Sequence, residues 1–412
     1  MLSRRAFLRD GACALVSLGF APSFLTRTVA AAPRTRGAQL IAIFQRGAVD
    51  GLSMVVPYGE ADYYRTRPSI ALPRPGAGGE AAIDLDGFFG LNPRLAPLAP
   101  IWERGDLAIV HACGSPDATR SHFDAQDYME TATPGVKSTS DGWLNRYLQA
   151  RTGDASSTFR GVALTPQMPR VLQGRASTVA MNQIGQFGIR AEGLSDSFEA
   201  QYAAAADGLL NGTGREAFDA MKALKAADPG RYQPEHGAAY PPSAFGQALK
   251  QIAQLAKAGV GLEVAFAELG GWDTHVNQGS AQGQLAARLD DFSRSIAALV
   301  TDLGDRMADT VVLTMSEFGR AVSENGNRGT DHGHGNAMMV MGGGVRGRKV
   351  YGRWPGLAAE HRYEGRDLAV TTDFRNVFAE VVTRRLGLAD TRSVFPGFTV
   401  DPRNFPGLFA DA

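Results

Sequence analysis

Cysteine is nearly absent from this sequence, with 2 residues in 412, at positions 13 and 113. Cys13 lies in a leading segment expected to be removed, so a single thiol remains and no intramolecular disulfide can form. Stability then has to come from burial. An excess of either charge is also missing: 42 Lys and Arg stand against 42 Asp and Glu. With no basic surplus and no polybasic cluster, the chain is not expected to bind nucleic acid or to adhere to an anionic membrane surface. No apolar run reaches the roughly twenty residues of a membrane-spanning helix, and no repeat or low-complexity tract stands out.

What is present begins with the first residues. Ser3-Arg4-Arg5-Ala6-Phe7-Leu8-Arg9 precedes a modest apolar run from Ala12 to Leu25, and Val29-Ala30-Ala31-Ala32 supplies the small residues of a cleavage site. This pattern reads as a twin-arginine export signal over residues 1–32. It predicts a mature chain of residues 33–412 in the periplasm or outside the cell, exported folded by the twin-arginine machinery and left without a stable membrane anchor. Removal of the signal leaves 38 Lys and Arg against 41 Asp and Glu, a net charge near −3. The 49 Gly and 21 Pro indicate many tight turns.

Apolar runs at Leu40 to Phe44, Leu107 to Ala112, Leu262 to Leu269, Val311 to Met315 and Met338 to Met341 read as strands of a sheet buried on both faces. Such continuous runs are typical of parallel sheets. Leu285, Leu289, Phe292, Ile296, Leu299 and Leu303 recur at alternating spacings of four and three, which draws one apolar stripe along a helix. A second helix is expected from the N-cap Asp373 to Leu386, closed by Gly387. The Ala-, Gly- and Gln-rich stretch around 170–250 reads as a helical insertion or cap. Ligands of open α/β sheets bind beyond the carboxyl ends of the strands, so the polar residues at those ends are the candidates for chemistry.

The first such end bears Arg46, Gly47, Asp50 and Gly51. Asp50 offers a hard anionic oxygen to a cation or is simply an Asp-Gly turn residue, and Arg46 grips an anion or pairs with a neighbour. Beyond the second end, Ser121 sits where a helix starts, as a nucleophile favoured by the helix dipole or as an ordinary N-cap. No Gly-x-Ser-x-Gly elbow surrounds any serine, and Cys113 lacks the Cys-x-Pro-x-Arg context of formylglycine sulfatases. The third end is Gly270-Gly271-Trp272-Asp273-Thr274-His275, whose Asp273 and His275 suit zinc or manganese. The fourth is Ser316-Glu317-Phe318-Gly319-Arg320, followed by Asp331-His332-Gly333-His334. Glu317 emerges at the same edge as a candidate metal ligand, His332 and His334 each have the chemistry of one, and Asp331 binds or orients its neighbour.

At this point the sequence resembles the alkaline phosphatase superfamily, and within it an exported bacterial family known as domain of unknown function 1501. The latter resemblance rests on Arg-Gly-x-x-Asp-Gly-Leu at 46–52, Arg-Ser-His-Phe at 120–123, Gly-Trp-Asp-Thr-His at 271–275, Ser-Glu-Phe-Gly-Arg at 316–320, Asp-His-Gly-His-Gly at 331–335 and Thr-Asp-Phe-Arg at 372–375. It implies an α/β fold of alkaline phosphatase type, a three-layer sandwich around a mostly parallel sheet. It further implies a hydrolase of phosphate or sulfate esters, acting on a small-molecule or polymeric anionic substrate. In that scheme Ser121 is the nucleophile, Asp50, Asp273, His275 and His332 or His334 hold one or two divalent ions, and Arg46 or Arg320 balances substrate charge. Where the superfamily has Asp-His after its next strand, this chain has Ser316-Glu317. That departure leaves a second reading open: a metal-stabilised binding or assembly protein that kept the scaffold without turnover.

Overall fold

The computed structural model describes residues 37–76, 78–151, 159–184 and 232–410. The expected export signal, and residues 185–231 of the expected insertion, lie outside the described residues.

The apolar runs form the centre of a sheet with nine strands among the described residues. In chain order its strands are β1 (Gln39–Gln45), β2 (Leu107–Gly114), β3 (Gly161–Ala163), β4 (Thr178–Ala180), β5 (Val264–Leu269), β6 (Thr310–Met315), β7 (Asn336–Gly342), β8 (Lys349–Tyr351) and β9 (Thr372–Asp373). Across the sheet the order is β8-β2-β7-β6-β1-β5-β3-β4, with β9 pairing on β2. β1 runs parallel to both β5 and β6, with Phe44 level with Glu268 and with Met315. Among the described residues only β7 is reversed, antiparallel to β2 and to β6, so the sheet is mostly parallel, as the runs predict. A separate three-stranded sheet joins residues 55–56, 83–84 and 90–91.

Alternate residues of β1 face two different cores, which explains why the run has no polar alternation. Ile41 and Ile43 pack with helices α3 (Ala244–Ala258) and α4 (Gln284–Leu303). Leu40, Ala42 and Phe44 pack with α1 (His122–Thr131), α2 (Trp143–Ala150) and α5 (Phe374–Glu380). The result is a three-layer α/β/α sandwich. All six residues of the predicted stripe on α4 are buried. Asp373 caps α5, its carboxylate accepting from the Arg375 N–H at 2.9 Å. The predicted helix does not continue uniformly: a π-helical turn spans Val381–Arg385 and includes the β-branched run Val381-Val382-Thr383, before Gly387 closes the segment at φ +71°. The described flanks of the 170–250 stretch supply the short edge strand β4 and the helix α3.

The reversal of β7 has a functional result. The parallel strands β1, β5 and β6 deliver the residues that follow them to one edge of the sheet, whereas β7 delivers the residues that precede it. Residues 331–335 therefore arrive beside residues 46–50, 270–275 and 316–320.

Phe292 on α4 is fully buried against Phe245 and Trp272. Phe292→Ala should lower the unfolding free energy by about 3–5 kcal/mol in urea denaturation. A loss below about 1 kcal/mol would show that this layer is not closely packed.

A histidine and carboxylate cluster at the sheet edge

Each segment of the cluster is fixed locally and presents its side chain from a held backbone. Trp272 is buried, and its indole N–H donates to Leu269 O at 2.7 Å, which pins the turn after β5 and leaves Asp273 and His275 half-exposed. Gly47, after β1, has φ +112°, and a Cβ there would lie 3.0 Å from the Asp273 nitrogen, so both its conformation and its space require glycine. Ser121 caps α1, its hydroxyl accepting from the Asp124 N–H at 3.5 Å, and His122 is the first residue of that helix. Its ring lies 4.9 Å from Phe318 and 4.3 Å from His332, centroid to centroid.

Three imidazoles surround one carboxylate oxygen. Asp273 Oδ1 lies 2.9 Å from His275 Nε2, 3.2 Å from His332 Nε2 and 3.4 Å from His122 Nε2. His275 Nε2 and His332 Nε2 are themselves 3.0 Å apart. The other nitrogen of each ring faces an acceptor: His122 Nδ1 is 2.8 Å from Glu317 Oε1, His275 Nδ1 3.2 Å from Asp331 Oδ1, and His332 Nδ1 2.9 Å from Arg120 O. Placing the ring protons on Nδ1 satisfies all three contacts and turns the three Nε2 lone pairs towards Asp273. Arg320 donates to the same carboxylate oxygen at 2.6 Å, and the three imidazole lone pairs gathered around it still repel unless a further cation or protons lie among them. The buried His122 Nε2 has no hydrogen-bond partner among the described residues.

The donor set fits a divalent ion. One ligand atom each from His122, Asp273 and His332 lies within 4.8 Å of the others, and imidazole with carboxylate is a zinc-type set. Nitrogen and oxygen ligands at about 2.0–2.2 Å from a tetrahedral ion stand about 3.3 Å apart, close to the spacings around Asp273 Oδ1. Zinc and manganese both suit such donors.

The electrostatics are mixed. A hydrogen bond to Glu317 raises the His122 pKa against the effect of burial, helped by the charges of Glu317 and Asp273. Burial lowers that of His332, and the neighbouring His122 and Arg320 add to it. Burial opposes the charge on Asp273, but Arg320 outweighs it and holds the carboxyl below its usual range.

Other predicted site residues take different positions. Arg320 is buried, and its guanidinium donates to Gly47 O, Ala48 O, Trp272 O, Thr330 O and Asp273 Oδ1. Arg46 is held by Gln126 at 3.1 Å, Glu130 at 2.8 Å and Glu268. Glu317 stands behind His122, fully buried, and His334 stacks on Tyr363 at 4.3 Å, turned to a different neighbour from His332. Asp331 reaches His275 and, at 3.0 Å, Asn325.

Asp50 joins a separate buried network, where its Oδ2 accepts from Arg67 at 2.6 Å and from Ser53 and Gln278 at 2.7 Å each. Gln278 Oε1 in turn accepts from Thr274 and Thr330 at 2.8 and 2.6 Å, which ties Asp50 to both histidine-bearing loops. His122 is the residue that the sequence reading passes over. It adjoins Ser121 in the Arg-Ser-His-Phe motif, and that proximity is the signal that was there to find.

Burial raises the Asp50 pKa, but Arg67, Ser53 and Gln278 outweigh it and hold the carboxyl below its usual range. On acidification the unfolded chain takes up this proton first. The contribution of Asp50 is therefore complete above about pH 4 and is lost as pH falls through the lower folded value. Asp50→Asn strands the buried Arg67 charge and should cost about 3–5 kcal/mol in urea denaturation at neutral pH, with a shallower acid limb than wild type. A loss below about 1 kcal/mol would mean that the pair adds little.

A search of curated proteins returned no match. Among solved structures, the C-terminal periplasmic domain of EcEptC from Escherichia coli, in complex with zinc, is similar at 10% identity over 91% of this chain and 93% of that chain, with a TM-score of 0.40. The PsFucS1 sulfatase from Pseudoalteromonas sp. is similar at 10% identity, over 90% and 73% of the two chains, with a TM-score of 0.37. Likenesses at these scores carry no information on substrate, metal or mechanism. The profile of the family described as Protein of unknown function (DUF1501) matches residues 109–395, a span that contains His122, Asp273, His275 and His332. Since that is more than half of the sequence, the chain belongs to this family.

Proposed function

We propose that this protein is an exported hydrolase of phosphate or sulfate esters that depends on a divalent ion, zinc or manganese, held by His122, Asp273 and His332. The observation that carries the reading is the convergence of three imidazole Nε2 atoms on Asp273 Oδ1. An ion bound there supplies Lewis acidity to an ester oxygen and lowers the pKa of a coordinated water. Asp331 orients His275 at the rim, and Arg320 keeps Asp273 in place. Ser121, the exposed cap of α1, presents its hydroxyl where free helix N–H groups favour an anion. In the proposed step Ser121 Oγ attacks the phosphorus or sulfur, and the alcohol departs with the hydroxyl proton. Water then cleaves the ester on serine, restores the hydroxyl and releases phosphate or sulfate. The order of Ser121, Asp273-x-His275 and His332 along the chain supports this reading, because it resembles that of the alkaline phosphatase superfamily; Asp50, which opens the same order, is instead paired with Arg67.

A second reading, a metal-stabilised binding or assembly protein without turnover, draws on the engagement of both predicted substrate cations. The guanidiniums of Arg46 and Arg320 are taken up by protein acceptors, and the Ser121 hydroxyl is engaged as a helix cap.

Metal analysis of the purified mature protein should give about one zinc or manganese per chain, lost in the Asp273→Ala, His332→Ala variant. Aryl phosphate, phosphodiester or sulfate esters should be hydrolysed, with the rate falling at least about a hundredfold on Ser121→Ala. Bound ion without turnover of any ester class selects the second reading, and turnover unaffected by Ser121→Ala removes that residue from the mechanism. Export rests on the Arg4-Arg5 motif, and Arg4→Lys, Arg5→Lys should leave uncleaved protein in the cytoplasmic fraction. Normal export of that variant rules out the twin-arginine route.

A further inference from the structure

We propose that Glu317 is a positioning residue, which sets the ion affinity of the cluster by fixing the tautomer and the angle of His122 without touching the ion. This rests on the reading that His122 is a ligand. Glu317 is fully buried, and its Oε1 accepts from three groups at 2.8 Å each: Gly47 N–H, Gln126 Nε2 and His122 Nδ1. Those three donors fill the oxygen's coordination. Oε2 faces Ser316 Oγ at 3.1 Å, whose single proton is directed chiefly to Gln45 O at 2.7 Å. Oε1 therefore has no direction left in which to meet an ion.

The arrangement has a consequence for His122. A carboxylate accepts from a ring nitrogen only if that nitrogen carries the proton, so Glu317 holds the proton on Nδ1 and frees the Nε2 lone pair. Nε2 is buried, has no hydrogen-bond partner among the described residues and lies 3.4 Å from Asp273 Oδ1. The carboxylate is itself anchored to the turn after β1 through Gly47 and to α1 through Gln126. The ring angle is thus set by two separate elements rather than by α1 alone. An anion behind the ring also makes Nε2 a better electron-pair donor.

Zinc affinity, measured by chelator competition, and the visible absorption of the cobalt-loaded protein test the role together. Glu317→Gln should weaken zinc binding about 10–100-fold and leave the cobalt absorption pattern unchanged, because the ligand set is intact. His122→Ala should weaken binding and also change the pattern. In the double variant the loss should equal that of His122→Ala alone, since Glu317 acts through the ring it orients. If Glu317→Gln does not fold, Gln126→Leu, which removes one of the anchoring donors from a partly exposed position, should shift affinity in the same direction with the same spectrum. That shift should also vanish in the His122→Ala background.

A cobalt spectrum altered by Glu317→Gln would make the residue a ligand and overturn the proposal, as would losses that add in the double variant. Wild-type protein that binds neither zinc nor cobalt overturns it together with the metal reading. An ion bound by wild type with an altered Glu317→Gln spectrum overturns this proposal alone.

Discussion

A buried guanidinium holds the working edge of this protein together. Arg320 is removed from water, and a charge in that position is tolerated only if acceptors surround it. Four backbone carbonyls and one carboxylate do so, drawn from the turn after β1, the turn after β5 and the loop that leads to β7. The planar fork of arginine directs donors to several segments at once, a geometry that lysine's point charge lacks. Each segment brought in by Arg320 carries or supports a member of the histidine cluster. The same side chain fixes Asp273, the oxygen on which the three imidazoles converge. Arg67 repeats the device beside it, bonding Asp50, Ser53 and the carbonyls of Ala321 and Val322, the two residues that follow Arg320.

These ties act on loops that topology has already brought to one edge. The Gly-Trp-Asp-Thr-His turn and the Asp-His-Gly-His loop are separated in sequence by the whole of α4 and by β6. They meet because β6 returns parallel to β5 through β1, and because β7 then runs the other way and presents its preceding loop. Ligands at the carboxyl ends of parallel strands are the common arrangement. Here one reversed strand supplies His332 from its amino end.

Much of the framework was legible in the sequence, for reasons that lie in single residues. β1, β2, β5, β6 and β7 showed because both faces of each are buried, so that their runs are continuously apolar. α4 showed because the six large apolar residues of its stripe, all buried, keep one helical face. Asp273 and the pair His332 and His334 stood out as candidates because few residue types bind metals and these lie in Gly-rich turns; the sequence did not choose between the two histidines. The three-residue strands β3 and β4 are too short to leave a pattern. Arg67 was not legible as the partner of Asp50, because 17 residues and a helical turn separate them and the pair exists only in the folded chain. Glu317 and His122 form the same kind of case. A glutamate at a strand end and a histidine at a helix start have the chemistry of ligands equally well. Only the 2.8 Å contact to Nδ1 places one behind the other.

Charge around the cluster bears on the order in which ligands would enter. Asp273, Asp331 and Glu317 are in contact with the imidazoles, and Arg320 is the guanidinium that contacts Asp273. With the rings neutral, three negative charges face two positive ones, Arg320 on Asp273 and Arg366, whose charge acts on Asp331, and the excess favours a cation. A phosphate or sulfate ester approaching the same groups alone meets repulsion from Asp273 and Asp331, both partly open to solvent. A divalent ion cancels that excess, and the free N–H groups at the start of α1 can then act on the ester without opposition from it. On the proposed reading the metal therefore precedes the ester, and the acidic residues of the cluster act as a filter against anions as long as no metal is bound.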